Sequence, residues 1–308
     1  MSSPDRPLRG MALMIAASTS FAAMNAMTAA LGRRHFPWQM TVFARASVGL
    51  LFAIVALSSL RLRKVTWVIN NRRTMWIRSL AGSTSMMLTF YALTHMPLAD
   101  ATALLTTTPV WIALLAYVQL REKPGRGVPL ALVVALLGVW FVEQPSFARG
   151  EFAGLIAILA SMASAVAMVS LRRLGTEPPE VIVSHFSFVA TIVTAVAVTV
   201  GSVGGTLRVP HGWFEYAIVL AVGATATLGQ LIMTRAYALD RAARVGGVGW
   251  VQVLLALLID GVLRQQWPHG KALFGIALLV LAGILLYLSA REANAAAVAP
   301  TSADPKPT

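Results

Sequence analysis

Apolar runs of roughly 15 to 26 residues follow one another from Gly10 to Ala290, parted by short tracts that carry most of the arginine. A run of that length with few charges reads as a transmembrane helix. Ten such spans are expected: Gly10–Leu31, Trp38–Leu60, Met75–Thr94, Leu98–Leu120, Val128–Val142, Phe152–Leu171, Val181–Val203, Phe214–Leu239, Val245–Leu263 and Ala272–Ala290. Only 12% of the 308 residues are charged, about half the usual share in soluble domains. The reading is an all-α membrane protein. The first run is too long for a signal-peptide core, so it is expected to stay as a span. The segment past Arg291, rich in alanine and proline, is expected to be a disordered tail.

The net charge of +13 does not point to nucleic acid, because the arginines lie in short tracts with no basic domain to gather them. With the amino terminus in the cytoplasm, about 15 basic residues, Arg63, Arg73 and Arg121 among them, fall inside against about 6 outside, such as Arg149 and Arg208. Both termini are then cytoplasmic, and the expected location is a bacterial inner (plasma) membrane.

The chain also repeats. Gly82 to Lys123 reads as an apolar helix, a break at His95-Met96-Pro97, a second apolar helix and a charged stop at Arg121-Glu122-Lys123. A second copy begins near Gly223, with Phe90-Tyr91-Ala92-Leu93 matching Ala236-Tyr237-Ala238-Leu239 about 146 positions on. An odd number of spans per half makes the halves inverted. The expected organisation is a tail at 1–9, a first five-helix repeat at 10–143, a second at 151–290 and a tail at 291–308.

The pattern of Tyr91-Ala92-Leu93, Pro97-Leu98-Ala99-Asp100-Ala101, Pro109-Val110 and Glu122, with an arginine at Arg45 in the second span, resembles the EamA-type transporters of the drug/metabolite transporter superfamily. The resemblance covers roughly Gly10 to Ala290. It implies a secondary transporter with a central cavity between halves, moving small metabolites by alternating access. The cavity it implies is lined by spans one, three, four, six, eight and nine. The second half departs from the first: Gln265-Gln266 stands where Arg121-Glu122 does, and Pro109 has no partner near Val253.

Polar residues at membrane depth are the site candidates, because each needs a partner or water. Ser18, Ala22, Asn25 and Ala29 share a face, where Asn25 can donate and accept. Thr84, Leu88, Tyr91 and His95 share another, as do Gln230, Thr234, Tyr237 and Arg241. Tyr91 and Tyr237 read either as rings at opposite ends of one path or as interfacial belt residues, the belt being preferred. In Thr106-Thr107-Thr108-Pro109 the proline opens the helix ladder, and threonine hydroxyls can bond the freed carbonyls. Trp111 and Trp250 offer flat apolar surface, and Gln252 completes the substrate-binding candidates. Arg45 and Asp260 are the intramembrane charges, with His185 as the counterpart of Arg45. Asp260 is read as a helix-end acid paired with Arg264 or as a proton carrier, the pair being preferred. Gly275, Gly283, Ala160, Ser161 and Ser164 are expected to let helices approach closely.

No cofactor or metal is expected. There are no cysteines, and the five histidines are scattered without ligand spacing. No nucleotide-binding Gly-Lys-Ser/Thr loop occurs, which counts against ATP-driven transport by this chain. The expected partners are a small-molecule substrate (amino-acid-like, nucleotide-like, vitamin or drug-like) and the lipid bilayer, with a homodimer left open. A channel or receptor is the main alternative, and an intramembrane enzyme a more distant one.

Overall fold

The computed structural model describes residues 6–32, 34, 36–62, 69–95, 104–121, 125, 127–143, 151–203, 209–264 and 270–298. Among them every regular element is helical and no strand occurs. In chain order these are α1 (Pro7–Gly32), α2 (Trp38–Leu62), α3 (Arg72–His95), α4 (Thr108–Leu115), α5 (Gly127–Glu143), α6 (Glu151–Arg173), α7 (Pro179–Val203), α8 (Gly212–Leu239), α9 (Ala242–Val248), α10 (Val251–Arg264) and α11 (Lys271–Val298). Six of them contain a stretch long and apolar enough to cross a bilayer: Pro7–Thr28, Trp38–Val55, Phe152–Arg173, Pro179–Val200, Gly212–Leu239 and Lys271–Ser289. Shorter apolar helices cover Thr108–Leu120, Gly127–Phe141 and Ala242–Leu255.

Local chemistry explains most boundaries. α1 and α7 open on Pro7 and Pro179, where a missing N–H costs nothing because the first turn has no helical acceptor for it. The His211 N–H donates to Glu215 Oε2 (2.7 Å), closing the start of α8 with a carboxylate near its positive end. Arg172 and Arg173 occupy the last turn of α6, at its negative end. α11 runs past Arg291 to Val298, since Ala295-Ala296-Ala297 has the highest helix propensity available.

Two expected spans are not continuous. The fourth breaks at Thr106–Thr107 before α4, and its last turn, Ala116–Leu120, is π-helical, ending on Arg121 at φ 55°. Pro109 is the cause of the first break. It cannot donate to the Leu105 carbonyl, and the Thr108 hydroxyl donates there instead (2.7 Å). Thr107 Oγ1 likewise donates to the Leu104 carbonyl (2.6 Å). The ninth span breaks at Gly249–Trp250 between α9 and α10. No proline is involved there; Gly246, Gly247 and Gly249 weaken the helix over one turn.

The helices pack in pairs drawn from the two ends of the chain. α1 lies along α8, α3 along α6, α2 along α7 and α5 along α11, with α2 also against α8 and α3 against α7. α4 rests on α6 and α9, while α9 and α10 rest on α1. Each of the four main pairings joins a helix before residue 143 to one after residue 151, so the two stretches interlock instead of sitting side by side.

The outside of the bundle is apolar on nearly every helix: Leu51, Phe52, Val133, Trp140, Leu155, Ile192, Leu220 and Ile284 are all exposed. Such a surface suits hydrocarbon and not water. α3 shows the same logic in reverse. It exposes Trp76, Ile77 and Leu80 and buries Thr74, Arg78, Ser79, Ser83 and Ser85. Gly275 is buried, and its carbonyl comes 3.0 Å from where a side chain on Gly138 would start, so α5 and α11 touch there as expected. Ser85 Oγ reaches the Ala160 carbonyl (2.9 Å), which fixes the close approach of α3 and α6. Gly283 is different from expectation: it is exposed, with nothing within 4 Å, and mediates no packing among the described residues.

Candidate functional site

Two polar groups and one apolar group neighbour one another in the interior. The first centres on Arg78, which is 0% exposed. Its Nη2 donates to Gln230 Oε1 on α8 (2.8 Å), and its guanidinium carbon lies 4.4 Å from the Phe186 ring centroid on α7. Gly82, one turn along α3, makes room: a Cβ there would fall 2.5 Å from Arg78 Nη1 and 3.0 Å from the Phe186 ring. Beside it, Ser79 Oγ and His185 Nδ1 are 2.8 Å apart, and Trp76 meets the His185 ring edge-on at 4.7 Å. The Nε and Nη1 of Arg78 are buried with no hydrogen-bond partner among the described residues. Burying a charge that is only partly satisfied costs on the order of several kcal/mol. A bilayer protein that retains such a group has a use for it.

The second group lies at the break before α4. Thr107 Oγ1 accepts from Trp111 Nε1 (3.2 Å) and lies 3.2 Å from Ser161 Oγ on α6. Ser161 itself donates to the Ile158 carbonyl (2.7 Å). Each hydroxyl owns one proton, and each has a carbonyl to give it to. The pair therefore keeps unused acceptor capacity.

The third group is apolar. Tyr237, Trp250, Ile112, Met11 and Met14 share one buried cluster, with Trp111 packed against it. Gly246 permits the convergence, since a Cβ there would meet Ile112 Cδ1 at 2.8 Å and the Tyr237 hydroxyl at 3.3 Å. The Trp250 indole N–H is buried without a partner among the described residues. Past this layer the chain is tied shut. The Arg6 N–H donates to the Leu239 carbonyl (2.7 Å), Arg172 Nη1 donates to the Ala238 carbonyl (3.3 Å), and Arg244 Nη1 pairs with Asp240 Oδ1 (2.9 Å), both side chains buried.

The structure thus gathers Gln230, Tyr237, Thr107, Trp111 and Trp250, with Thr106 half-buried beside them in the turn and Gln252 half-buried in α10. The Gln230–Thr234–Tyr237 face does turn inward; Tyr237 is 1% exposed and is no belt residue. Asn25 is not part of the gathering. It is exposed, 11 residues and so roughly 16 Å along α1 from Met14. The Thr84–Leu88–Tyr91 face continues the exposed Ile77–Leu80 side of α3, with Thr84 exposed and Tyr91 half-buried. Arg45 is half-buried and has no hydrogen-bond or ion-pair partner among the described residues. Asp260 and Arg264 lie in the backbone of α10, but their side chains, like that of His95, lie outside the described residues, as do Asp100 and Glu122 altogether. No cluster of histidine, aspartate and glutamate able to hold a metal occurs among the described residues.

Arg78 is the residue that sequence reasoning passed over. It lies within the expected third span, a few residues past Arg72 and Arg73, and is not among the site candidates read from the sequence. The available signal was the run of small and polar residues that shares its face, Ser79, Gly82, Ser83 and Ser85.

An apolar exterior around an interior of arginine, glutamine, hydroxyls and interrupted helices defines an integral, multi-pass membrane protein with a polar core. Residues 8–143 match the EamA-like transporter family. Over 281 residues the chain is 27% identical to a pseudopaline exporter of Pseudomonas aeruginosa, covering 90% of this chain and 95% of that one. It is also 27% identical over 225 residues to human solute carrier family 35 member G1, covering 68% of this chain and 61% of that one. A solved crystal structure superposes with a TM-score of 0.71 at 20% identity, over 92% of this chain and 97% of that one, so the fold is shared. Residues 8–143 thus carry an EamA-like transporter domain, and the chain as a whole is similar to transporters of the drug/metabolite type.

Proposed function

We propose that the protein is a secondary transporter that carries a small solute by alternating access, along a path between two inverted five-helix halves, 10–143 and 151–290. The observation that carries this is a symmetry of packing. Exchange α1 with α6, α2 with α7, α3 with α8, α5 with α11, and α4 with α9 and α10. The α1–α8 pair then becomes α6–α3, the α2–α7 and α5–α11 pairs map onto themselves, and α4 on α6 becomes the α9–α10 pair on α1. The two interrupted helices, at Thr106–Thr107 and Gly249–Trp250, fall at corresponding places under the same exchange. Discontinuous helices at matched positions of a repeat are where transporters of this kind expose backbone to substrate.

The substrate path in this reading takes in Thr106, Thr107, Trp111, Gln230, Tyr237, Trp250 and Gln252, with Asn25, Tyr91 and Arg45 toward the outer side. Asp260 keeps a structural role with Arg264. The cytoplasmic placement of both termini and the inner-membrane location rest on the arginine and lysine bias. A relative that exports pseudopaline makes efflux the direction to test first.

The test is purified protein in liposomes, loaded with a panel of amino acids, nucleosides and vitamins, with and without a proton gradient. Solute-specific, saturable flux above protein-free vesicles is expected. Flux that grows linearly with concentration, without saturation or exchange, would indicate a channel and overturn alternating access.

A further inference from the structure

We propose that Arg78 is an anion receptor within the path, and that the group it takes is a carboxylate of the transported solute. This rests on the transport reading above and deepens it. Three observations lead here. The guanidinium is fully buried, yet its only hydrogen bond among the described residues is to the neutral Gln230. Its Nε and Nη1 have no acceptor among the described residues, and no carboxylate pairs with it there. It is held ready and does not hang loose: Phe186 lies under its face, Gln230 holds one nitrogen, and Gly82 vacates the volume that it fills.

The surroundings narrow the ligand. Among the described residues no carboxylate lies beside Arg78, and its neighbours Ser79 and His185 are bonded to each other. One fixed positive charge is balanced by one negative charge, and arginine donors match planar oxyanions. A phosphate dianion would bring one more negative charge than Arg78 itself can balance. The flanking Phe186 and the apolar layer of Tyr237 and Trp250 then suit a solute with an apolar or aromatic part beside its carboxylate. With the guanidinium sealed in this conformation, the anion reaches it only when the bundle opens. Arg78 spans α3, α7 and α8, helices that the opening must move.

The experiment uses the full-length protein in nanodiscs and liposomes. Thermal unfolding, followed by tryptophan fluorescence, is measured with glutamate, succinate and phenylacetate, with the matching amides glutamine, succinamide and phenylacetamide, and with inorganic phosphate. Wild type should be stabilised by at least one carboxylate and not by its amide. Arg78→Gln, which keeps hydrogen bonding and removes the charge, should bind that carboxylate about tenfold or more weakly. Arg78→Lys keeps the charge without the planar fork and should fall between. It also carries the test if Arg78→Gln does not fold, because undiminished carboxylate binding by Arg78→Lys and by a Gly82→Ala variant overturns the proposal. So does equal stabilisation of wild type and Arg78→Gln, stabilisation by amides alone, by phosphate alone, or by nothing in the panel. The same solutes are then followed in liposome flux. Arg78-dependent binding without flux leaves the receptor standing and removes the transport reading. Flux that is indifferent to Arg78 does the opposite.

Discussion

Gly223 in α8 faces Val48 of α2 so closely that a methyl group there would lie 2.4 Å from Val48 Cβ and 2.5 Å from its Cγ1. The same crossing is tight nearby, where a Cβ on Gly49 would fall 3.0 Å from Ser187 Oγ and 3.3 Å from Thr227 Oγ1. Val48 is β-branched, and its Cβ is fixed to the backbone, so no rotamer change clears the clash. In Gly223→Ala the helices must part. Overpacking of this kind costs about 1–3 kcal/mol, against a helix-propensity gain of up to about 1 kcal/mol. The net loss should be about 1–2 kcal/mol. Gly283→Ala is the matched control, with nothing within 4 Å and the propensity gain alone. Thermal unfolding read through the eight tryptophans should place the two variants on opposite sides of wild type. At about 2–4 °C per kcal/mol, the separation is several degrees. A Gly223→Ala protein that melts at or above wild type would refute the α2–α8 crossing, and with it one contact between the proposed halves.

Other expectations follow from particular contacts. Asp240→Asn leaves Arg244 buried without its countercharge and should destabilise by about 3 kcal/mol or more, while Asp240→Leu with Arg244→Met should recover most of that loss in the same melting assay; no recovery would show that the pair does more than balance charge. Thr107→Val removes the acceptor of Trp111 Nε1 and the donor to Leu104, so it should cost about 1–2 kcal/mol and lower liposome flux, and unchanged flux would detach the helix break from transport. A single cysteine at Arg73 should resist impermeant thiol reagents on intact cells, and labelling from outside would reverse the topology. Asp260→Asn should lower flux only moderately; loss of gradient-driven accumulation with exchange spared would make Asp260 the coupling acid.

What was legible in the sequence was whatever depends on neighbours in the chain. The long apolar runs marked the helices, because lipid tolerates little else. Thr106 to Pro109 marked a break, because a missing N–H has a local remedy in the next hydroxyl. The spacing of Gln230, Thr234 and Tyr237 marked a shared face of α8, but the belt reading preferred for Tyr237 put it at the interface, and only packing turns it inward. On α3 the spacing marked a shared face without saying which way it turns. Thr84, Leu88 and Tyr91 obey the same spacing, but Ser79, Gly82, Ser83 and Ser85 carry the inward face, and only packing against α6 and α7 decides between them. The break at Gly249–Trp250 has no proline, and glycines are equally at home in a continuous transmembrane helix. Arg78 was hidden for a further reason. Near a basic tract an arginine reads as an anchor for lipid headgroups, and its burial depends on Gln230, 152 positions away.

The interlocked pairing constrains how such a protein can move. Rigid halves cannot simply swing apart when α1 is packed on α8 and α3 on α6, since each half holds the other's helices. Opening must instead slide or part α3, α7 and α8 around the contacts they share, and Arg78 is one of these, bonded to Gln230 and stacked on Phe186. Empty and closed, that layer carries the cost of a buried cation with unmet donors. On the proposal that Arg78 takes the solute's carboxylate, water entering on opening relieves the cost and favours an open state of the empty protein. A carboxylate that fills the unmet donors removes the same penalty without water, so the loaded transporter can close. Hydrogen bonds to a charged group are worth about 1.5–3 kcal/mol, enough to shift such an equilibrium roughly tenfold to a hundredfold. On that proposal, one under-satisfied arginine couples closure to cargo.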